Sequence, residues 1–265
     1  MSATSSSQAN CNNLMEPRVI PILLLQDESL VKTTRFGRFT YVGDPCNTCR
    51  IFNELEVDEL LFLDIRATRQ QQSPNFSLLR DIAGECFMPL GYGGGIQHLD
   101  HAKEIFDIGF EKISLNSALF RTPQLVDQIA SYFGSQAVIA SIDVKQLGSK
   151  KSVHSNSGQT NEYHDPVLWA REVEALGVGE ILLTSIDREG TWQGLDLDLI
   201  SQVTSAVSIP VIAHGGVGAL QHIREGVRDA GASAVGLGNM VVFQKPGMGV
   251  LVHYPERSSL KALWQ

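Results

Sequence analysis

The sequence predicts an α/β barrel made of eight βα units, and two observations support this fold class. Short apolar runs rich in β-branched residues alternate with helical patterns along the chain, as in a parallel sheet covered by helices. The pattern also repeats once, so that each half of the chain holds four units. A chain of 265 residues with 43% apolar residues has the length and the core expected for one such barrel.

Eight runs are predicted to be barrel strands because each is short, apolar and bounded by turn residues. They are Val19–Leu25, Leu60–Leu63, Met88–Leu90, Ile113–Leu115, Val138–Ile142, Ile181–Thr184, Val211–Ala213 and Ala234–Leu237. Between them, Leu99–Phe106 and Val167–Leu176 show the apolar period of a helix and run into glycines, Gly109 and Gly177. A capping side chain before a proline predicts three further helix starts, at Asp44, Thr122 and Asp165.

The internal repeat is the more specific signal, because three pairs of segments share nearly the same offset. The pairs are Asp107–Asn116 with Asp229–Gly238, Gly93–Gly95 with Gly215–Gly218, and Phe62–Arg66 with Ser185–Glu189. Chance similarity of glycine turns does not explain three pairs at one spacing. The repeat therefore predicts a (βα)8 TIM barrel built from two (βα)4 half-barrels.

Residues 1–17 are rich in Ser, Asn and Gln, so we expect a disordered tail before a barrel domain of residues 18–265 that includes a C-terminal extension. Lys145–His164 is predicted to be a long polar loop, and Ser258–Trp264 a short terminal helix. No run reaches the roughly 20 apolar residues of a membrane helix, which favours a cytoplasmic protein. A net charge of −8 argues against nucleic-acid or anionic-membrane partners held by bulk charge.

The four cysteines, Cys11, Cys46, Cys49 and Cys86, include one CxxC pair at a predicted helix start. A helix N-terminus lowers a thiol pKa, so Cys46 and Cys49 allow a redox role. Unreactive cysteines in a reducing compartment are the favoured interpretation. No second pair completes a tetrahedral zinc site, and we expect neither a metal nor a cofactor.

Glycine turns and helix starts follow the third, fourth, seventh and eighth predicted strands, where backbone N–H groups can approach an anion. The residues concerned are Gly94, Gly95, Asn116, Ser117, Gly215, Gly216, Gly238 and Asn239. Their duplicated layout predicts two phosphate sites at one mouth of the barrel, hence a phosphorylated and elongated ligand. The alternative is that these glycines only form tight βα turns.

Acidic residues end three predicted strands, at Asp64, Asp143 and Asp187. Acid–base chemistry on a bound ligand usually needs groups on opposite sides of it. Asp143 supplies one such group, but the opposite wall ends in Leu24, which cannot titrate.

Two further residues near the predicted mouth could handle protons. His214 precedes the second glycine turn, and a structural histidine on the barrel rim is an equally good interpretation. Lys32 follows the first strand together with Asp27, and the sequence does not place either side chain.

At the opposite end, four charged residues each precede an apolar strand: Arg18, Glu59, Lys112 and Glu180. Their spacing alone favours a stabilising ring of ion pairs at the amino-terminal face.

Together these segments resemble the cyclase subunit of imidazole glycerol phosphate synthase, from about Pro17 to about Val242. The matching motifs are Phe62–Ile65, Tyr92–Ile96, Ser114–Ser117, Phe133–Gln136, Ser141–Lys145, Gly179–Thr191 and Ile209–Ala213. The resemblance implies a glutaminase docked on the amino-terminal face near Gln136, and ammonia that passes along the barrel axis to a phosphorylated ligand. It also implies that Arg18, Glu59, Lys112 and Glu180 form an ammonia gate.

The sequence also differs from that family at positions that bear on its function. Leu24 stands where the family has an essential aspartate, and Gly91, His214 and Glu189 replace a threonine, a serine and an aspartate. The resemblance adds Lys32, Glu189 and Gly190 to the predicted ligand-binding residues. The segments Ile22–Leu25, Leu30–Thr33 and Val250–Pro255 are similar to a paralogous branch that works with a glutaminase and an ATP-dependent amidotransferase on acetamidino groups of surface sugars.

Three functions follow as hypotheses. The leading one is an ammonia-channelling barrel subunit that feeds an amidation and retains Asp143. The second is a true cyclase of histidine biosynthesis, a lyase, and the third is a catalytically silent scaffold that activates a glutaminase.

Overall fold

The computed structural model describes residues 16–265, so most of the predicted N-terminal tail, with Cys11, lies outside the described residues. Eight parallel strands form a closed barrel: β1 Arg18–Gln26, β2 Leu60–Asp64, β3 Leu90–Gly93, β4 Lys112–Leu115, β5 Val138–Leu147, β6 Glu180–Ser185, β7 Val211–His214 and β8 Ala234–Leu237. Each strand pairs with the next, and β8 pairs with β1. The predicted (βα)8 TIM barrel is confirmed.

Helices cover the outside of the barrel: α1 Pro45–Glu54, α2 Phe76–Glu85, α3 Leu99–Ile108, α4 Gln124–Phe133, α5 Pro166–Ala175, α6 Leu197–Thr204, α7 Leu220–Arg228 and α8 Arg257–Ala262. A short helix spans Ser117–Arg121, and 3-10 turns span Ser135–Ala137 and Asn239–Val241. The Asp44 and Asp165 side chains cap α1 and α5 as predicted. The Thr122 cap is wrong, because α4 begins after Pro123 without a side-chain cap. No helix in residues 16–265 is long and apolar enough to cross a membrane.

Seven predicted strands lie within the observed ones, but the third is displaced. It runs over Leu90–Gly93 instead of Met88–Leu90. Of the glycines that suggested a turn, Gly93 is a strand residue, whereas Gly94 and Gly95 follow the strand. Glycines suit β3 because large side chains of the neighbouring strand β2 lie beside it. A Cβ atom at Gly91 would lie 2.7 Å from Leu61 Cδ1, so that only glycine fits beside Leu61.

Two β-hairpins extend the barrel at its carboxyl-terminal end, and the sequence missed both. Ser29–Lys32 pairs with β1 and with Thr40–Gly43, forming the first hairpin. The predicted loop Lys145–His164 is wrong, since β5 continues to Leu147 and pairs with Lys150–Ser155. Polar residues on strands that reach beyond the core have no apolar alternation, which explains the error.

Inside the barrel, apolar side chains fill the space between its two ends. This apolar bore consists of Ile20, Ile22, Leu61, Ile139, Leu182, Ile212 and Ala234, each with 0% exposure. Because side chains alternate along strands, the same inward faces carry charged residues at the amino-terminal end and polar residues at the carboxyl-terminal end.

Candidate active site

A cavity of about 490 Å³ opens at the carboxyl-terminal end of the barrel, where barrel enzymes hold their active sites. Leu24 and Asp143 both line it. Leu24 belongs to β1 and Asp143 to β5, and three strands separate β1 from β5 in either direction, so the two residues lie on opposite walls. Leu24 therefore faces Asp143 across the cavity.

Asp143 is held in a buried polar environment. Asn116 Nδ2 donates to Asp143 Oδ2 at 3.3 Å and to the Ser141 carbonyl at 3.0 Å. Burial raises the pKa of Asp143 to about 7, although hydrogen bonds from Ser141 and Thr184 oppose the shift. A carboxyl group that titrates near neutral pH can both give and take a proton.

Two other carboxyl groups at this end accept hydrogen bonds from backbone N–H groups. Asp64 accepts from Arg66 N at 2.8 Å and from Ala67 N at 2.9 Å, and burial raises its pKa. Asp187 accepts from Gln146 N at 2.7 Å. Asp64 also lines the cavity, on the strand next to Leu24, whereas Asp187 is not among the residues that line it.

Glu189 belongs to the loop after β6 and is buried beneath the first hairpin. Its carboxylate accepts from Thr33 Oγ1 at 3.0 Å and from Phe36 N at 3.1 Å. Burial raises its pKa, against the hydrogen bond from Phe36. Glu189 therefore anchors the hairpin over the cavity that Phe36 also lines.

Lys32, which the sequence did not place, points into the barrel from the first hairpin. It is 3% exposed, and its Nζ donates to the Ile22 carbonyl. Burial lowers the pKa of the amine to about 8, and the nearby Glu189 opposes that shift. A buried amine with this pKa is uncommon outside functional sites.

Asp143, Thr184 and His214 form a row across three adjacent strands. Thr184 pairs directly with Asp143 on one side and with His214 on the other. Thr184 Oγ1 lies 3.2 Å from His214 Nδ1. Burial and then Lys32 lower the pKa of His214 to about 3, so the imidazole is neutral near pH 7. Thr184 was missed, although strand register alone could have identified it.

The two predicted phosphate cradles are not equivalent. Cavity-lining residues include Gly94, Gly95, Asn116 and Ser117 from the first half, but not Gly190, Gly215, Gly216, Gly238 and Asn239 from the second. The first hairpin lies against Gly190, where a Cβ atom would be 2.9 Å from Thr34 Cα. Gly94, Gly95, Gly215 and Gly216 have positive φ angles, and neighbouring residues leave no room for a Cβ atom at any of them. These glycines therefore also allow the βα loops to pack closely.

At the amino-terminal end, the charged ring of Arg18, Glu59, Lys112 and Glu180 is closed by four ion pairs. Glu59 accepts from Arg18 at 2.6 Å and from Lys112 at 3.0 Å, and Lys112 is 2.9 Å from Glu180. The fourth pair joins Arg18 to Glu180. Both glutamate side chains are buried, so the ring seals this end of the bore.

The remaining candidates lie apart from the cavity. Gln136 follows α4 on the amino-terminal side, where its Nε2 donates to the Phe133 carbonyl at 3.1 Å. A hydrogen bond with Cys86, followed by burial, raises the pKa of Cys49, and burial raises that of Cys46. Raised thiol pKa values do not favour the redox interpretation of the CxxC pair.

The fold is that of a (βα)8-barrel protein, and the cavity at the carboxyl ends of its strands has the size of small-molecule sites. The chain belongs to the histidine biosynthesis protein family, whose model matches residues 18–245.

Individual relatives agree with this assignment. The chain is similar to a Pseudomonas aeruginosa protein provisionally named imidazole glycerol phosphate synthase subunit hisF2, with 46% identity over 93% of the chain and 99% of the relative. A provisionally named HisF subunit of Leptospira borgpetersenii is 40% identical over 95% of the chain and 100% of the relative. Imidazole glycerol phosphate synthase subunit HisF of Chlorobium phaeobacteroides is 40% identical over 80% of the chain and 85% of the relative.

Proposed function

We propose that this chain is the ammonia-channelling barrel subunit of a glutamine-dependent amidotransferase system in the cytoplasm. A glutaminase docks on the amino-terminal face, and its ammonia enters through the charged ring. The ammonia then crosses the apolar bore and reaches the cavity. The observation on which this proposal rests is Leu24 opposite Asp143: although Asp64 and Glu189 also line the cavity, no acid stands on β1 at the position where the cyclase family that the chain resembles has an essential aspartate.

The charged ring and the bore support a conduit. Ion pairs among four side chains can open by a rotamer change of Lys112, whose side chain is 21% exposed, while the two buried glutamates remain paired with Arg18. The bore beyond the ring offers no charged group that would protonate ammonia. Neutral ammonia is small and uncharged, so it passes between apolar side chains far more readily than ammonium does.

For the acceptor, we propose an ATP-dependent sugar amidotransferase that makes acetamidino groups of surface polysaccharides. Support comes from the motifs that depart from the cyclase pattern, above all Ile22–Leu25, together with His214 and Glu189. In this function, Asp143 and the first-half residues Gly94, Gly95, Asn116 and Ser117 bind a phosphorylated ligand.

The second candidate is the cyclase of imidazole glycerol phosphate synthase. The names of the curated relatives and the retained Asp143, with a pKa of about 7, favour it. Loss of one essential acid usually costs several powers of ten in rate. A purified chain that converts the formimino ribonucleotide precursor with ammonium salts at a normal rate would refute the leading proposal.

The substitution Leu24→Asp tests whether an acid at this position is all that the site lacks for cyclisation. Because Leu24 already faces the cavity opposite Asp143, an added carboxylate should give measurable cyclisation if the remaining site is intact. Leu147→Asp, at an exposed hairpin position, is the matched control and should give none.

A variant of the charged ring distinguishes an ammonia conduit from a catalytically silent scaffold. In the complex with its glutaminase and acceptor enzyme, Lys112→Met should reduce product made from glutamine but not product made from ammonium chloride. Lys103→Met, on the exposed face of α3, is the control and should change neither. Equal losses with both nitrogen sources, or no loss with either, would contradict a conduit.

A further inference from the structure

Lys32 is a buried amine in the cavity that the proposed ammonia conduit does not use. Its side chain lines the cavity, and its Nζ donates to the Ile22 carbonyl. A Cβ atom at Gly238 would lie 3.6 Å from both Lys32 Nζ and His214 Nε2, so the amine lies beside the imidazole near the end of β8. The first hairpin therefore brings a primary amine to the part of the cavity next to the apolar bore.

We propose that Lys32 forms an imine with the carbonyl group of a phosphorylated sugar bound in this cavity. The ligand carries a phosphate, which the first-half residues hold, and an aldehyde or keto group at its other end. Only the phosphate is taken from the proposed function, and the reaction at Lys32 does not depend on the ammonia conduit.

The amine is not held as one half of an ion pair. The salt bridges of residues 16–265 do not include Lys32. The nearby Glu189 carboxylate accepts instead from Thr33 Oγ1 and Phe36 N. Burial lowers the pKa of Lys32 to about 8, so roughly one amine in ten is neutral at pH 7, against about one in 2,500 for an ordinary lysine. The neutral amine is the form that attacks a carbonyl carbon, and desolvated lysines serve as such nucleophiles in enzymes.

Imine formation balances without a further reactant. The Nζ lone pair attacks the carbonyl carbon while the carbonyl oxygen takes up a proton, which gives a carbinolamine. The hydroxyl group then leaves as water with the last amine proton, and a C=N bond remains. Asp143 lines the same cavity and has a pKa of about 7, so its carboxyl group can give and take the protons that these steps move. His214 is neutral near pH 7, so it adds no positive charge against a protonated imine.

The ligand extends across the cavity from one wall to the other. Lys32 Nζ lies near the end of β8, whereas Asn116 and Ser117 follow β4. Three strands separate β4 from β8 in either direction, so a phosphate at Asn116 and a carbonyl group at Lys32 occupy opposite sides of the mouth. A cavity of about 490 Å³ has the volume for an elongated sugar phosphate.

The test traps the imine in the full chain with D-erythrose 4-phosphate, whose aldehyde cannot close a ring because O4 carries the phosphate. Sodium cyanoborohydride reduces the imine to a stable secondary amine, which peptide mass spectrometry locates. We expect labelling at Lys32 to be at least about tenfold faster than at Lys103 of α3, because burial keeps more of this amine neutral. The rate at Lys32 should rise up to about pH 8 and then level off. Inorganic phosphate should slow labelling of Lys32 but not of Lys103, whereas sodium chloride at equal ionic strength should slow neither.

Two variants accompany this measurement. Lys32→Met should abolish the adduct and Lys103→Met should keep it, with circular dichroism to check that both variants fold. The labelling of the unmodified chain decides the inference even if Lys32→Met does not fold. Labelling of exposed lysines with none at Lys32, or labelling of Lys32 that phosphate does not slow, would overturn it.

The proposed function and this inference fail in different experiments. If Lys112→Met shows no difference between glutamine and ammonium chloride, the conduit is wrong, whatever the labelling at Lys32. If Lys112→Met shows the difference but Lys32 is not labelled, the conduit stands and the imine is wrong.

Discussion

Asp143→Asn should make the barrel more stable above neutral pH, because it removes a carboxyl group that is costly to ionise in its native position. The side chain is 8% exposed, and burial raises its pKa to about 7 against opposing hydrogen bonds from Ser141 and Thr184. In an unfolded chain the same group has a pKa of about 3.9. Asparagine has nearly the same shape, and its carbonyl oxygen can still accept from Asn116.

The sign and size of the effect follow from these two pKa values. Below about pH 4 the carboxyl group is protonated in both states, so the variant and the unmodified chain should have similar free energies of unfolding. Between about pH 4 and pH 7 the unfolded chain releases the proton while the native barrel keeps it, so the unmodified chain loses stability. A difference of roughly three pH units corresponds to about 4 kcal/mol, which is the upper limit of the advantage of the variant at about pH 8.

Urea denaturation of both proteins at several pH values, followed by circular dichroism, measures this difference. Asp100→Asn serves as the control because the Asp100 side chain is 91% exposed. Parallel stability curves for Asp143→Asn and the unmodified chain between about pH 4 and pH 8 would refute the reasoning, as would a less stable variant at the upper end.

Two further predictions concern stability. Lys112→Met should lower the free energy of unfolding by about 3 kcal/mol, because it leaves two buried glutamates with one cation. An unchanged urea midpoint would show that the charged ring does not stabilise the fold. Asp165→Ala should cost about 1 kcal/mol through loss of the α5 cap, whereas Thr122→Ala, which removes no side-chain cap, should cost less; equal losses would contradict the cap assignment.

Much of the fold could be predicted because it depends on local patterns. Buried parallel strands are continuous apolar runs, and the repeat of Gly93–Gly95 at Gly215–Gly218 indicated two half-barrels before any contact was known. The error at β3 has a physical cause. Gly91 and Gly93 lie in the strand because larger side chains from β2 fill the interior beside them, and this packing has no local signal.

Only those residues of the candidate site that lie at the ends of barrel strands could be predicted from the sequence. In a parallel barrel the carboxyl ends of all strands meet at the same mouth, so Asp143 and Leu24 could be set against each other by counting strands. Lys32 could not be placed, because its position depends on a hairpin with no apolar alternation that folds back into the barrel.

The sequence by itself thus determined the barrel, its twofold repeat, the charged residues at one end, and an apolar residue, Leu24, on the strand opposite Asp143. Only the tertiary structure decided that the four charges close into a ring, that the first hairpin lies against Gly190, and that Gly238 lies close to Lys32 and His214. The reason is that strand periodicity is fixed by neighbouring residues, whereas pKa values and hydrogen bonds depend on atoms that the closed barrel brings together from distant positions.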